Sequence, residues 1–288
     1  MLFARLSLAL TLACVSAYIV PDVHKGHTVL DHSDRSLHAY ASVRTHPHAT
    51  AGERQTYTSW QDTVSEVVLQ ARQPLRQLNS SQNKPARTFV TLLTSDKNYL
   101  PAMTAWLVVA ARHSSVSSVI LLALDKEAHD AVRANQGHSV LSEDVIDEAM
   151  TARVKSHGHE HFVWLTRMVV ARHILTTGTD LLMTDLDALW LRDPLPMIAA
   201  QLAAGNDIVA SRAHGIPLPQ KLKWGSTACM GFVYFRADDP VRAIMNRTVL
   251  VMLQQDDPDD QIAFNEVSTC LRIHTHWHSH CTRIARAR

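Results

Sequence analysis

The sequence is poor in the features that most quickly classify a chain. It has four cysteines in 288 residues, and one of them, Cys14, sits in the N-terminal segment. The remaining three, Cys229, Cys270 and Cys281, allow one bridge in an oxidising compartment and leave one thiol over, so cysteine indicates compartment and little else. Charge of one sign is equally scarce. Against 28 Lys and Arg stand 27 Asp and Glu, a formal net charge of +1, and no basic cluster provides the electrostatic footprint of a nucleic-acid binder. From Arg87 onward there is no internal repeat and no low-complexity tract.

The N-terminus carries the first positive signal. Residues Met1 to Val20 hold one early charge, Arg5, followed by an apolar core from Leu6 to Val15. That core is shorter than the roughly 20 residues a bilayer span requires. Small residues at Val15-Ser16-Ala17 suit cleavage of a secretory signal peptide, while Tyr18-Ile19-Val20 extends the run toward a signal anchor. Either form delivers the rest of the chain to a lumen. Residues 21–85 are rich in His, Ser and Thr and bury too little to offset their ordering entropy, so they read as a stem or linker. One helix is expected inside it, because Val64, Val67, Val68, Ala71 and Leu75 recur at helical spacing. Asn79-Ser80-Ser81 and Asn246-Arg247-Thr248 are glycosylation sequons.

From residue 86 to the end, strand and helix patterns alternate. Thr88 to Thr94 and Ser118 to Leu124 read as strands, and Pro101 to Arg112 reads as a helix between them. Such alternation predicts an α/β domain with helices on both faces of the sheet, and roughly 200 residues fit one domain. Phe162 to Thr177 follows as an amphipathic helix with Leu165, Met168, Ala171 and Leu175 on one stripe, Arg167 off it, and Gly178 as the C′ residue.

The organising stretch is Asp180 to Pro194. Leu181, Leu182 and Met183 form a buried strand, which places Asp185 and Asp187 at its carboxyl end, where ligands bind in open α/β sheets. Residues two apart on an extended chain point the same way, so both carboxylates can reach one point. Hard oxygen donors suit Mn²⁺ or Mg²⁺ and leave positions open for phosphate oxygens. Paired aspartates also cap turns, but the following Ala188-Leu189-Trp190-Leu191 is too apolar for a solvated turn.

This strand, its Asp-x-Asp, the apolar run with Trp190 and the closing Asp193-Pro194 resemble, in that order, the nucleotide-diphospho-sugar transferases of glycosyltransferase family 77, the plant and algal arabinosyl, xylosyl and galactosyl transferase type. The resemblance implies a GT-A type Rossmann-like mixed sheet in a single catalytic domain. It implies a retaining, metal-dependent transfer of a sugar from a nucleotide diphosphate donor, a UDP-sugar, to a glycan or glycoprotein hydroxyl. It further implies a Golgi type II membrane protein, secreted if the N-terminal segment is cleaved, with no membrane contact beyond that anchor. In a mildly acidic lumen the 18 histidines charge in part.

Residue by residue, the resemblance places Thr94, Ser95 and Asp96 in the first nucleotide loop and Asp125 at the second strand's end, although Ser or Asp after a strand also caps helices. Arg167 occupies a position where the family has a basic residue, facing the diphosphate or solvent. Gly231, in Trp224 to Arg236, lines the donor sugar pocket or marks a β-bulge. Asp260 and Gln261, followed by Asn265, match the pair that positions sugar or acceptor at a helix start. His274, His276, His278 and His280 alternate along a late strand and with Cys281 could bind zinc; one of them could complete the Asp-x-Asp site. Two rivals remain: a haloacid-dehalogenase phosphatase, whose motif normally continues with Thr or Val where this chain has Leu189, and a secreted His-rich metal-binding protein.

Overall fold

The run expected to form the central strand does so. In the computed structural model, Asp180–Thr184 is fully buried along its length and forms β5 of a mixed sheet. The structure describes residues 59–71, 73–74, 87–112, 118–213, 215–270, 277–278 and 281–284. The N-terminal segment, Asn79, His274, His276 and His280 lie outside them.

The other strands are β1 (Gln73–Pro74), β2 (Thr88–Ser95), β3 (Val119–Ala123), β4 (His138–Leu141), β6 (Ile208–Ala213), β7 (Thr227–Phe235), β8 (Trp277–His278) and β9 (Cys281–Ile284). Their order is β4-β3-β2-β5-β7-β6-β9-β8, with β1 paired to β2. Strands β4, β3, β2 and β5 run parallel, and β7 enters antiparallel between β5 and β6. The carboxyl ends of β2, β3, β5 and β6 therefore share one edge.

Period-two alternation sorts the strand side chains into two cores. Leu181 and Met183 of β5, with Val90 and Leu92 of β2, enter one apolar cluster; Leu182, Phe89 and Leu93 enter the other. The first face is covered by α1 (Trp60–Ala71), α4 (Glu148–Lys155), α5 (His159–Thr176), α8 (Asp239–Leu253) and α9 (Asp260–Cys270). The second is covered by α2 (Leu100–Ala110), α3 (Lys126–Ala134) and α6 (Leu195–Ala203). A further short helix, α7 (Leu218–Trp224), lies between β6 and β7. Among the described residues no helix is long and apolar enough to cross a membrane.

Two readings of the sequence change. The helix placed in the linker is α1, and its Val64, Val67, Val68 and Ala71 are buried in the first core; the compact unit runs from Thr56 to Arg288. Helix α5 is not buried along one stripe alone. Val169, Val170, Ile174 and Arg167 are buried as well, because the helix lies between the sheet and its neighbours α1, α4, α8 and α9. It ends as expected, with Gly178 at φ 76°, a left-handed value that glycine adopts without strain. Two residues on, β5 opens with the buried Asp180, whose carboxylate accepts bonds from Arg87, the Tyr234 hydroxyl and the Ala237 amide.

Because α1 is held by its buried valines, Val68→Ala should lower unfolding stability by about 2 kcal/mol through lost burial and the cavity left behind. Urea unfolding checks this; a midpoint equal to that of the wild type would mean that α1 does not dock in solution.

Candidate active site

Strand β5 ends at Thr184, and the chain turns at once. The Ala188 amide donates to the Asp185 carbonyl at 3.1 Å and the Leu189 amide to that of Asp187 at 3.0 Å. The two carboxylates therefore do not converge by alternation along an extended chain, as the sequence suggested. They converge because a turn carries Asp187 back over the strand end. Both line one open cleft of about 500 Å³ at the carboxyl edge, with Trp190, Arg192, Ser211, Cys229, Gly231 and Phe232 among its other walls. Trp190 anchors the turn: it packs edge-on against Trp106 of α2 with ring centroids 4.9 Å apart, and Trp106 Nε1 donates to the Ala188 carbonyl. Leu191, beside it, is exposed at the rim.

Arg167 explains the posture of Asp185. Its Nη1 donates to Asp185 Oδ1 at 2.6 Å and its Nε to Asp260 Oδ2 at 2.5 Å. The guanidinium is thus buried between two carboxylates, one from β5's end and one from the first turn of α9. Burial weakens its hold on the proton, and the charges of Asp260 and Asp185 more than reverse this, so it stays cationic. Burial pushes the Asp185 carboxyl up; the Arg167 charge opposes this, and Asp260 and Asp187 add to it. Asp260 is likewise pushed up by burial against the pull of Arg167. Arg167 itself is buried, its bond to Asp260 is buried as well, and its bond to Asp185 is part-buried at the cleft wall. The expected acceptor contact at Asp260 is replaced by this ion pair, because its side chain is 3% exposed.

Gly231 makes a close approach, but to Asp185. A Cβ built on it would lie 2.7 Å from Asp185 Oδ2, nearer than real side chains come. The Asp185 amide also donates to the Gly231 carbonyl at 2.8 Å. Here β7 departs from regular pairing: Ala210 faces Val233 while the next residue, Ser211, faces Cys229. Residues 230–232 form the bulge that the second reading of Gly231 required. Helix α9 braces it from below. Gln261 Oε1 accepts from the Met230 amide at 3.4 Å and its Nε2 donates to the Ile216 carbonyl at 2.8 Å. One turn on, Asn265 pairs with both the amide and the carbonyl of Ala228, as a neighbouring strand would.

The loops after β2 and β3, expected to hold the nucleotide, lie on the same edge but outside the walls of the cleft. Asp96 caps a short 3₁₀ turn through the amides of Asn98 and Tyr99. Asp125 accepts from Ala128 with one oxygen and from Lys97 with the other, tying the two loops together. Ser95 donates to the Asp96 carbonyl, and Thr94 pairs with Leu122 of β3. The capping alternative describes both aspartates. In the tail, β8 and β9 pair antiparallel, with Trp277 opposite Thr282 and His278 opposite Cys281. Of the four alternating histidines, His278 lies within the described residues, and the expected zinc or metal ligation by His274, His276 and His280 falls outside them. Cys229 is a free thiol.

Sequence reasoning missed Ser211, Cys229 and Phe232 as cleft walls, since only the β6–β7 pairing brings them beside Asp185. Among the described residues no group of three or more His, Cys, Asp and Glu side chains forms a metal cage. Among its described walls the cleft's carboxylates are Asp185 and Asp187, with Cys229 beside them.

Removing the buried cation leaves the buried Asp260 and the half-buried Asp185 without their partner. Arg167→Met should cost about 3–5 kcal/mol of stability, and adding Asp260→Asn should recover part of that. Denaturant unfolding of the two variants decides; a single variant as stable as the wild type would dissolve the ion triad.

Residues 114–276 match the family described as nucleotide-diphospho-sugar transferase. Over 158 residues the chain is 25% identical to the UDP-D-xylose:L-fucose alpha-1,3-D-xylosyltransferase MGP4 of Arabidopsis thaliana, covering 52% of this chain and 43% of that one, so it spans less than half of that relative. Among solved structures it is similar to core-mannan synthase A of Aspergillus fumigatus in its Mn/GDP form, at 8% identity and a TM-score of 0.39, over 66% of this chain and 72% of that one. The family match takes in more than half of the sequence, and the chain belongs to the nucleotide-diphospho-sugar transferase family.

Proposed function

We propose that the protein is a retaining GT-A type glycosyltransferase that moves a sugar from a nucleotide diphosphate donor, a UDP-sugar, to a hydroxyl of a glycan or glycoprotein. The observation that carries this reading is the pair Asp185 and Asp187 in one cleft at the carboxyl edge of a sheet that belongs to this family. Residues 1–20 support delivery to the Golgi lumen, anchored or released.

The cleft fits a divalent ion. Arg167 occupies Asp185 Oδ1 and leaves Oδ2 against Gly231 at the cleft wall, while Asp187 is exposed in the turn above. Among the described residues the cleft presents these two carboxylates, and Mg²⁺ or Mn²⁺ is held in this way when substrate phosphates complete the shell. A bound ion of this kind supplies positive charge to a departing diphosphate.

The rest is done by the chain. Arg167 holds the Asp185 carboxylate in one orientation, and Asp260 holds Arg167. Gln261 and Asn265 fix the β7 bulge, so that a peptide backbone without a side chain, Gly231, fronts the Asp185 carboxylate. Positioning of this kind lowers the barrier by holding reactants in place before reaction. Asp260 and Gln261 then act on the sugar through the wall they support. The loops after β2 and β3, shaped by Asp96 and Asp125, provide the backbone surface for nucleoside binding, with Thr94 and Ser95 at its base.

A panel of nucleotide sugars with Mn²⁺ tests the reaction, read as release of nucleoside diphosphate. Asp187→Asn should melt like the wild type, because an exposed isosteric amide leaves packing unchanged. Its turnover should fall by about 100-fold or more, since losing a direct ligand exceeds the roughly 10–100-fold that outer partners cost. Full activity of Asp187→Asn at saturating Mn²⁺ would remove Asp187 from the site. Phosphomonoester hydrolysis would favour the dehalogenase-type phosphatase, and release of neither nucleotide nor phosphate would leave a binding protein.

A further inference from the structure

We propose that Asn246 carries an N-linked glycan, seated on a second hollow at the edge of the sheet opposite the cleft. Asn246 begins the triplet Asn246-Arg247-Thr248 and is exposed in the middle of α8. It forms one wall of an open hollow of about 600 Å³ whose other walls are Thr176, Thr177, Gly178, Asp239, Arg242 and Ala243. These residues are the end of α5 and the start of α8, so the hollow lies where β5 begins, whereas Asp185 lies where β5 ends. A sugar chain there leaves the cleft open. The lining is mixed, with Thr176, Thr177 and the Asp239–Arg242 ion pair among the walls of a space open to solvent. One helical turn beyond Asn246, Leu250 stands 37% exposed on the same stripe.

The order of events follows from Thr248. Its side chain is fully buried and its hydroxyl donates to the Ile244 carbonyl at 3.0 Å, so the triplet cannot be read as an extended segment once α8 has formed. Modification therefore precedes folding of α8, during entry into the lumen. In that step Asn246 Nδ2 bonds to the anomeric carbon of an oligosaccharide carried on a lipid diphosphate. The bond from that carbon to the diphosphate breaks, and the amide proton leaves with the diphosphate. Once α8 forms, burial of Thr248 keeps Asn246 on the outer face.

The test uses the full chain with its own N-terminus, expressed in a eukaryotic host with a glycosylating secretory pathway. Asn79→Gln removes the other triplet, so any N-glycan left on that variant sits at Asn246. Treatment with peptide N-glycosidase in ¹⁸O-water should convert Asn246 to a labelled Asp, seen by peptide mass spectrometry, and should lower the protein's mass by one glycan. Asn79→Gln/Asn246→Gln should show no shift and the same donor turnover as Asn79→Gln. An unmodified Asn246 peptide, whether from secreted, membrane-bound or unexported chain, overturns the proposal.

Discussion

Everything at the candidate site depends on one buried cation held between a buried carboxylate, Asp260, and a half-buried one, Asp185. A guanidinium that has lost its water is tolerated only where its donors find acceptors, and Arg167 finds them in Asp185 and Asp260. Its planar fork sets two directions at once, which a lysine ammonium cannot do. The pairing joins α5, the end of β5 and the start of α9 into one rigid corner. It also divides the labour of Asp185: one oxygen is committed inside, and the other is left beside Gly231 on the cleft wall.

The same corner accounts for the irregularity of β7. A regular antiparallel strand would place a side chain against Asp185 Oδ2. The bulge at residues 230–232 presents glycine there instead, and the strand stays in place because Gln261 and Asn265 take over the backbone bonds that the bulge disturbs. Helix α9 thus serves the site twice: Asp260 fixes the cation, and the next two polar side chains on its inner face fix the wall. Side-chain amides are suited to the second task because each carries a donor and an acceptor, as a peptide does.

Much of this was legible in the sequence, for local reasons. Leu181 to Met183 announced β5 because a short apolar run between Gly178 and polar residues fits a strand covered on both faces. Gly178 announced the end of α5 by its conformational freedom. What was not legible was non-local. Arg167 and Asp260 are 93 residues apart, and nothing in either segment says that a charge off the apolar stripe of α5 is buried; that depends on helices packing around α5 from all sides. The valines of α1 had the right spacing, yet the polar composition around them suggested a linker, and tertiary packing overrode that. The alternation rule failed at Asp187 because the strand stops one residue before Asp185, and a turn, not the pleat, brings the carboxylates together.

Charge bears on the proposed diphosphate donor. The cleft's described walls carry two carboxylates, Asp185 and Asp187, and one guanidinium, Arg192, while Arg167 is spent on Asp185 and Asp260. Under the proposed function a divalent ion between the two carboxylates reverses the sign there and draws the anionic donor. Equilibrium binding of UDP to the wild-type chain, measured by calorimetry with Mn²⁺ and again after chelation, tests this directly. Saturable binding that disappears with the metal is the predicted result; UDP binding of equal strength in its absence would contradict the account.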